Sequence, residues 1–219
     1  MLQFMPQVFH PPLLLGLKLA LAAVVLVATA LWLLVYKALP AHSGPLTPQQ
    51  PIPFSHKHHA GDDGIDCRYC HYSVETSAFA GIPSNEVCLT CHSQLFNDAA
   101  TLEPLRDSAR TGRPIAWVRV HDLPDFVFFN HSIHVAKGVG CVECHGRVDR
   151  MPRIERVASL EMQWCLGCHR DPVPRLRPPE KVFDMASQPP RDPKARAALV
   201  ARLHLLPTRH MTDCSTCHR

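Results

Sequence analysis

Ten cysteines stand in this chain of 219 residues, and all ten fall into five copies of one short pattern, C-x-x-C-H. The copies are Cys67/Cys70/His71, Cys88/Cys91/His92, Cys141/Cys144/His145, Cys165/Cys168/His169 and Cys214/Cys217/His218. No cysteine is left over. Two thiols at this spacing, with an imidazole directly after the second, form the attachment motif of c-type haem. The thiols add across the two vinyl groups of a porphyrin, and the histidine reaches the iron as its proximal ligand. A zinc knuckle or a redox dithiol also uses C-x-x-C, but neither needs histidine in that next position. The sequence therefore predicts five covalently bound haem c groups, held by the ten cysteines, with His71, His92, His145, His169 and His218 on the iron. The fold class that follows is a multihaem cytochrome c, mostly irregular with short α-helices packed around five haems, plus one N-terminal transmembrane helix.

The composition agrees with a chain that lacks a large side-chain core. It has 21 prolines against 10 glycines, and only 7% of its residues are aromatic. Buried porphyrin would supply apolar surface that the side chains do not, so folding is expected to depend on the haems. The formal charge of +4 is no argument for nucleic acid, because five haems bring propionates for the basic residues to pair with.

The histidines beyond the five motifs are His10, His42, His56, His58, His59, His121, His131, His134, His204 and His210. Two pairs of them repeat one arrangement. Phe54-x-His56-x-x-His59 precedes Cys67, and Phe129-x-His131-x-x-His134 precedes Cys141, with Phe and Cys 13 residues apart in one copy and 12 in the other. Each copy is followed by a second motif, at Cys88 and at Cys165, 17 and 20 residues after the preceding motif histidine. We read a duplicated dihaem module, 54–92 and 129–169, closed by a fifth motif at 214–218. Histidines three apart on a helix share a face. His56 and His131 are expected to be distal ligands of the haems at Cys67 and Cys141, and His59 and His134 to reach haems of other motifs. His58 lies between and should point away. The fifth distal ligand is open between His121, Met162 and Met151, with His210 weaker. A thioether ligand would raise one potential above its bis-imidazole neighbours, although methionine more often fills cores.

The remaining chain supplies an anchor and connections. Residues 1–12 are an N-terminal tail. From Leu19 to Tyr36 there is no charge, and Leu13–Lys37 reads as a transmembrane helix, since at ~1.5 Å per residue it spans a ~30 Å hydrocarbon layer. Lys18 sits one turn inside and can snorkel, and Trp32 and Tyr36 suit the interface. A secretory signal would have a shorter apolar region of roughly 7–15 residues. Residues 38–53 form a Pro-rich tether, and 54–219 the pentahaem domain. Within it, Leu95–Ser108 reads as a helix with Leu95, Ala99, Leu102 and Leu105 inward, and Ile115–Val120 as a short extended run. A further helix starts at Asp192-Pro193 and ends at Pro207, with Ala195, Ala198, Leu199, Leu203 and Leu206 buried and His204 opposite. No nucleophile, nucleotide loop or non-haem metal motif is visible. The chain is expected to transfer electrons without a substrate site of its own.

Three runs, PIPFSHKHHAGDDGIDCRYCH, VHDLPDFVFFNHSIHVAKGVGCVECHG and MQWCLGCHR, resemble the pentahaem cytochrome subunit of bacterial alternative complex III. The likeness spans roughly residues 51–184, the last motif and the anchor. It implies a subunit of a quinol-oxidising complex in the inner membrane, single-pass, with its haem domain on the periplasmic side. It also implies partners: integral-membrane quinol-binding subunits, an iron–sulfur periplasmic subunit and a monohaem cytochrome c. Competing expectations are a stand-alone membrane quinol dehydrogenase feeding a periplasmic reductase, a multihaem reductase of a small substrate, and a non-haem metal scaffold.

Overall fold

The computed structural model describes residues 11–38 and 47–218, so His10, His42, most of the N-terminal tail and the first part of the tether lie outside it. The chain divides into two compact units, residues 1–44 and 45–219. The first is one helix, α1 (Pro11–Ala38). Its segment Pro12–Tyr36, 25 residues with a mean hydropathy of 2.5, is long and apolar enough to cross a membrane. Thr29 turns its hydroxyl back to the Val25 carbonyl at 2.8 Å, which satisfies that donor within the helix. Trp32 and Tyr36 stack with ring centroids 5.5 Å apart.

The second unit is built from short helices joined by irregular chain. Each attachment motif lies on one: α2 (Cys67–Cys70), α3 (Asn85–His92), and further on α6 (Val142–His145), α7 (Met162–Arg170) and α10 (Cys214–Cys217). Between them lie α4 (Glu103–Thr111), α5 (His131–Ala136), α8 (Pro193–Leu203) and α9 (Thr208–Met211). Among the described residues there is no strand, only isolated antiparallel bridges, Val127 with His218 and Val139 with Leu176. Acidic side chains cap the helix starts: Asp66 accepts from Arg68 N–H, Asp192 from Ala195 N–H and Asp213 from Ser215 N–H.

The two F-x-H-x-x-H segments pack reciprocally, each against the loop that follows the other module's first attachment motif. The first is wound as a π-helix over Lys57–Asp62. Its Lys57 N–H donates to the Met151 carbonyl at 3.0 Å, beyond the third motif. The second is α5, whose first residues bond back to the loop beyond the first motif: His131 N–H to Ala78 and Ser132 N–H to Ser77, at 3.2 and 3.1 Å. Gly61 permits the first contact, because a Cβ there would lie 2.1 Å from the Asp149 carbonyl oxygen.

Side-chain core is scarce. The described buried apolar residues are Ile52, Val74, Leu105, Met151, Ala158, Leu176, Val182, Met185, Leu199 and Leu203, and only Leu176, Leu199 and Leu203, with Val139 and Leu205 against them, form a cluster. Ten such residues are few for a unit of this length to fold on alone. The cluster is pinned by Arg177, 1% exposed, which pairs with Glu143 inside the third motif. Its guanidinium fills the space beside Gly140 and its carbonyl lies against Gly138. Any side chain at either glycine would collide, and Gly138 also has φ +75°.

Two expected helices and one expected extended run differ from what the sequence suggests. Leu95–Ser108 is not continuous: α3 stops at His92, Phe96 turns to φ 55°, and the chain restarts through a 3₁₀ turn at Ala100–Leu102 with Pro104 in the first turn of α4. Leu105 is buried as expected, whereas Leu95 is 58% exposed. The last long helix ends at Leu203, because His204 adopts a left-handed conformation and Lys137 caps the end by donating to the Leu203 carbonyl at 2.8 Å. Leu199 and Leu203 are buried, but Leu206, beyond the stop, is exposed, as are Ala195 and Ala198. Residues 115–120 pair with no strand. Gln50 instead serves Val118 with its side-chain amide, donating to the carbonyl at 2.8 Å and accepting from the N–H at 3.0 Å. The Gly61 contact predicts that Gly61→Ala, by forcing the two copies apart, destabilises the folded chain by about 1–3 kcal/mol, read as a lower thermal midpoint with attached haem retained.

Candidate functional site

The phenylalanine that opens each copy organises the imidazoles behind it. Phe54 lies flat on His59, centroids 4.5 Å apart, and edge-on to His56 at 4.9 Å. Phe129 does the same with His134 at 4.4 Å and His131 at 4.7 Å. The two copies therefore present two imidazoles each in one arrangement. The pattern of the sequence contains both phenylalanines, but periodicity assigns them no task beyond core.

These imidazoles face motif histidines. His131 lies opposite His145 with centroids 6.3 Å apart and rings 12° from parallel. His134 lies opposite His169 at 6.1 Å, and His59 opposite His92 at 6.1 Å. Two imidazoles that each bind one metal at ~2 Å have centroids ~6 Å apart, so these three pairs have the spacing of axial ligand pairs. His56 sits near His71: burial first, then His71 and His59, hold its pKa down at about 4. His58 points elsewhere, exposed, towards the Asp63 carboxylate at 3.5 Å.

A second regularity concerns the ring nitrogens. Nδ1 of seven histidines lies at a backbone carbonyl: His59 at Ser55, His71 at Gly81, His92 at Leu95, His131 at Ala78, His134 at Asn130, His169 at Met211 and His218 at Phe126, at 2.7–3.2 Å. A carbonyl can only accept, so each Nδ1 carries the proton and each Nε2 keeps a free lone pair. That is the tautomer and orientation a metal requires, with the outer hydrogen bond strengthening the ligand. The carbonyls could not be found from sequence, since any residue type supplies one.

The sulfurs point the same way. Burial, the leading cause, raises the pKa of Cys67, Cys70, Cys88, Cys165 and Cys168, and pushes Cys141 to about 11 and Cys144 to about 12. Zinc and redox chemistry need thiolate. These surroundings disfavour that charge and suit a neutral thioether. Among the described residues no three His, Cys, Asp or Glu side chains converge on one point. The residues present thus fit covalent haem.

The remaining predicted ligands are placed differently. His121 lies beside His145, at 4.4 Å and edge-on, a spacing that leaves no room for a metal between the two rings, and its Nε2 is buried without a partner. Burial in turn lowers its pKa, as it lowers that of His145 to about 3. Met151 is 7% exposed and packs its methyl towards Gly146. Met162, at the start of α7, is 59% exposed. His210 lies exposed on α9. Among the described residues the ring set against His218 is Phe126, at 5.8 Å.

The paired geometry predicts different outcomes for neighbouring histidines. His131→Met should raise one haem midpoint by on the order of 0.1 V, a fraction of the ~0.8 V range that axial ligands command. His58→Ala should leave every midpoint in place. Redox titration of the two variants, followed by visible absorption, checks both.

Comparison with known proteins reaches the same class. Residues 127–219 match the family described as cytochrome c7 and related cytochrome c. Over 176 residues the chain is 29% identical to the menaquinone reductase, multiheme cytochrome c subunit, of Nitratidesulfovibrio vulgaris, covering 78% of this chain and 77% of that protein. With its short helices, its absence of strands among the described residues and three motif histidines faced by further imidazoles, the chain has the fold of a multihaem cytochrome c.

Proposed function

We propose that this protein is a membrane-anchored pentahaem electron relay working inside a quinone-linked respiratory complex. The observation that carries the reading is the set of facing imidazoles: His131 with His145, His134 with His169 and His59 with His92. A motif histidine faced by a second imidazole leaves no open position for substrate, so such a site suits electron transfer and not bond-making at the iron. When bound, haem supplies one-electron chemistry. The protein's own part is to attach each group through a cysteine pair, present Nε2 from both sides and hold the Nδ1 proton on a carbonyl.

In this reading Cys67, Cys70, Cys88, Cys91, Cys141, Cys144, Cys165, Cys168, Cys214 and Cys217 carry the haems, and His71, His92, His145, His169 and His218 are proximal. His56, His59, His131 and His134 are distal. The α1 segment anchors the chain in the inner membrane, with residues 54–219 on the periplasmic side. Quinol oxidation, which releases two electrons and two protons, takes place on partner membrane subunits, and the electrons leave singly through this chain to a carrier or oxidase. The likeness of the three sequence runs to alternative complex III supports that direction. The relative's name, a subunit of a menaquinone reductase, supports the opposite one, with electrons delivered to quinone. Both make this chain a relay beside a quinone-binding partner.

Gentle solubilisation of native membrane, followed by purification on this chain, separates the readings. We expect integral-membrane and iron–sulfur chains to co-purify and a haem stain on the band of this chain, whose polypeptide alone is 24.5 kDa. Reduction of the complex by a quinol analogue, against oxidation of the pre-reduced complex by quinone, distinguishes the two directions. If the chain purifies alone and is still reduced directly by quinol, the relay within a complex is wrong.

A further inference from the structure

We infer that the five haem sites stand in single file in the order second, first, third, fourth, fifth motif, so that the wire starts at His92 and ends at His218. The inference rests on the reading that all five motifs carry haem, and it concerns which motif neighbours which. The order is not that of the sequence, because the first and second positions are exchanged.

Each junction is visible in direct contacts. The second and first motifs touch through Tyr69 and Thr90, whose hydroxyls lie 2.8 Å apart, one residue from Cys70 and from Cys91 respectively. The first and third are joined by the reciprocal packing of the two copies. His131, facing His145, anchors both its N–H and its Nδ1 on Ala78, beyond His71. The third and fourth are joined by α5, which presents His131 to His145 and, one turn on, His134 to His169. The fourth and fifth are joined where Nδ1 of His169 meets the Met211 carbonyl, three residues before Cys214.

Among the described residues the second motif has no such tie to the third. Its helix α3 packs instead on α4, where Asn85 donates to Ser108 at 2.6 Å. Exposure marks the ends. Of the ten cysteines, Cys91 and Cys214 are the exposed ones, and they belong to the second and fifth motifs. An electron partner that docks on a multihaem wire needs an exposed haem edge. The second and fifth sites are therefore the points of entry and exit.

The test counts redox neighbours. Haem content of the purified full chain is measured first by the pyridine haemochrome assay. Fewer than five haems would overturn the underlying reading, and the order with it. In a five-haem protein, His59→Met raises the potential of the second-motif haem so that it reduces before the rest. Redox titration followed by EPR then reads how many other midpoints move. The proposed order expects one, because an end haem has one neighbour, whereas His134→Met at the fourth motif should move two. Two moving for His59→Met would overturn the order while leaving the haem count intact. Should His59→Met fail to take up five haems, Cys88→Ser with Cys91→Ser removes the second site altogether. Under the proposed order the remaining four haems equilibrate as one group after pulse reduction. A first-motif haem that lags behind the other three would sink it.

Discussion

The structure depends on a hydrogen bond repeated at seven histidines, from ring Nδ1 to a backbone carbonyl. An imidazole without it would rotate, and either nitrogen would carry the proton. With it, the ring plane, the tautomer and the direction of the Nε2 lone pair are set before any metal arrives. The phenylalanines add the second constraint, by fixing the imidazoles of each F-x-H-x-x-H segment relative to one another. Everything larger follows from bringing those segments opposite the motif helices. The reciprocal bonds from Lys57 to Met151 and from His131 to Ala78 do that.

Such an architecture explains why the polypeptide needs so little core of its own. The apolar cluster around Leu176, Leu199 and Leu203 serves to hold the loop that precedes the third motif. Arg177 transmits that hold. Its chain donates to the Gly138 carbonyl at 2.9 Å, and its side chain pairs with Glu143 between Cys141 and Cys144. A buried guanidinium is costly unless paired. Here the pairing fixes the most buried motif, the one in which Cys144 and His145 have their pKa values displaced furthest from normal by burial.

How much was legible beforehand divides by range of interaction. The motif helices, the recurring F-x-H-x-x-H pattern and the long apolar segment are local patterns, and each could be read from spacing alone. The acidic cap at Asp192 and the proline after it located the start of α8 for the same reason. Its end was misjudged, because a left-handed His204 and the Lys137 cap come from elsewhere in the chain. The expected helix across Leu95 failed similarly: its apolar stripe was real only where Leu105 had something to pack against. Partner choice among imidazoles was half visible. The spacing placed His131 and His134 on one face, but the position of His121 beside His145 depends on the path of residues 112–128, which carry no periodicity. The carbonyl acceptors were invisible, as backbone has no letter in a sequence.

That invisibility has an evolutionary side. A hydrogen-bond acceptor supplied by a side chain can be lost in one substitution, whereas a carbonyl persists through any change of residue that leaves the chain path intact. The electronic character of most imidazoles here is therefore buffered against mutation. His56 is not among the seven, for its buried Nδ1 has no acceptor among the described residues. Its counterpart in the second copy, His131, has Ala78. Of the two repeated positions, His131 therefore has a fixed environment. The other lies where small shifts of surrounding residues could set its basicity, and with it the driving force of one step, without disturbing the rest.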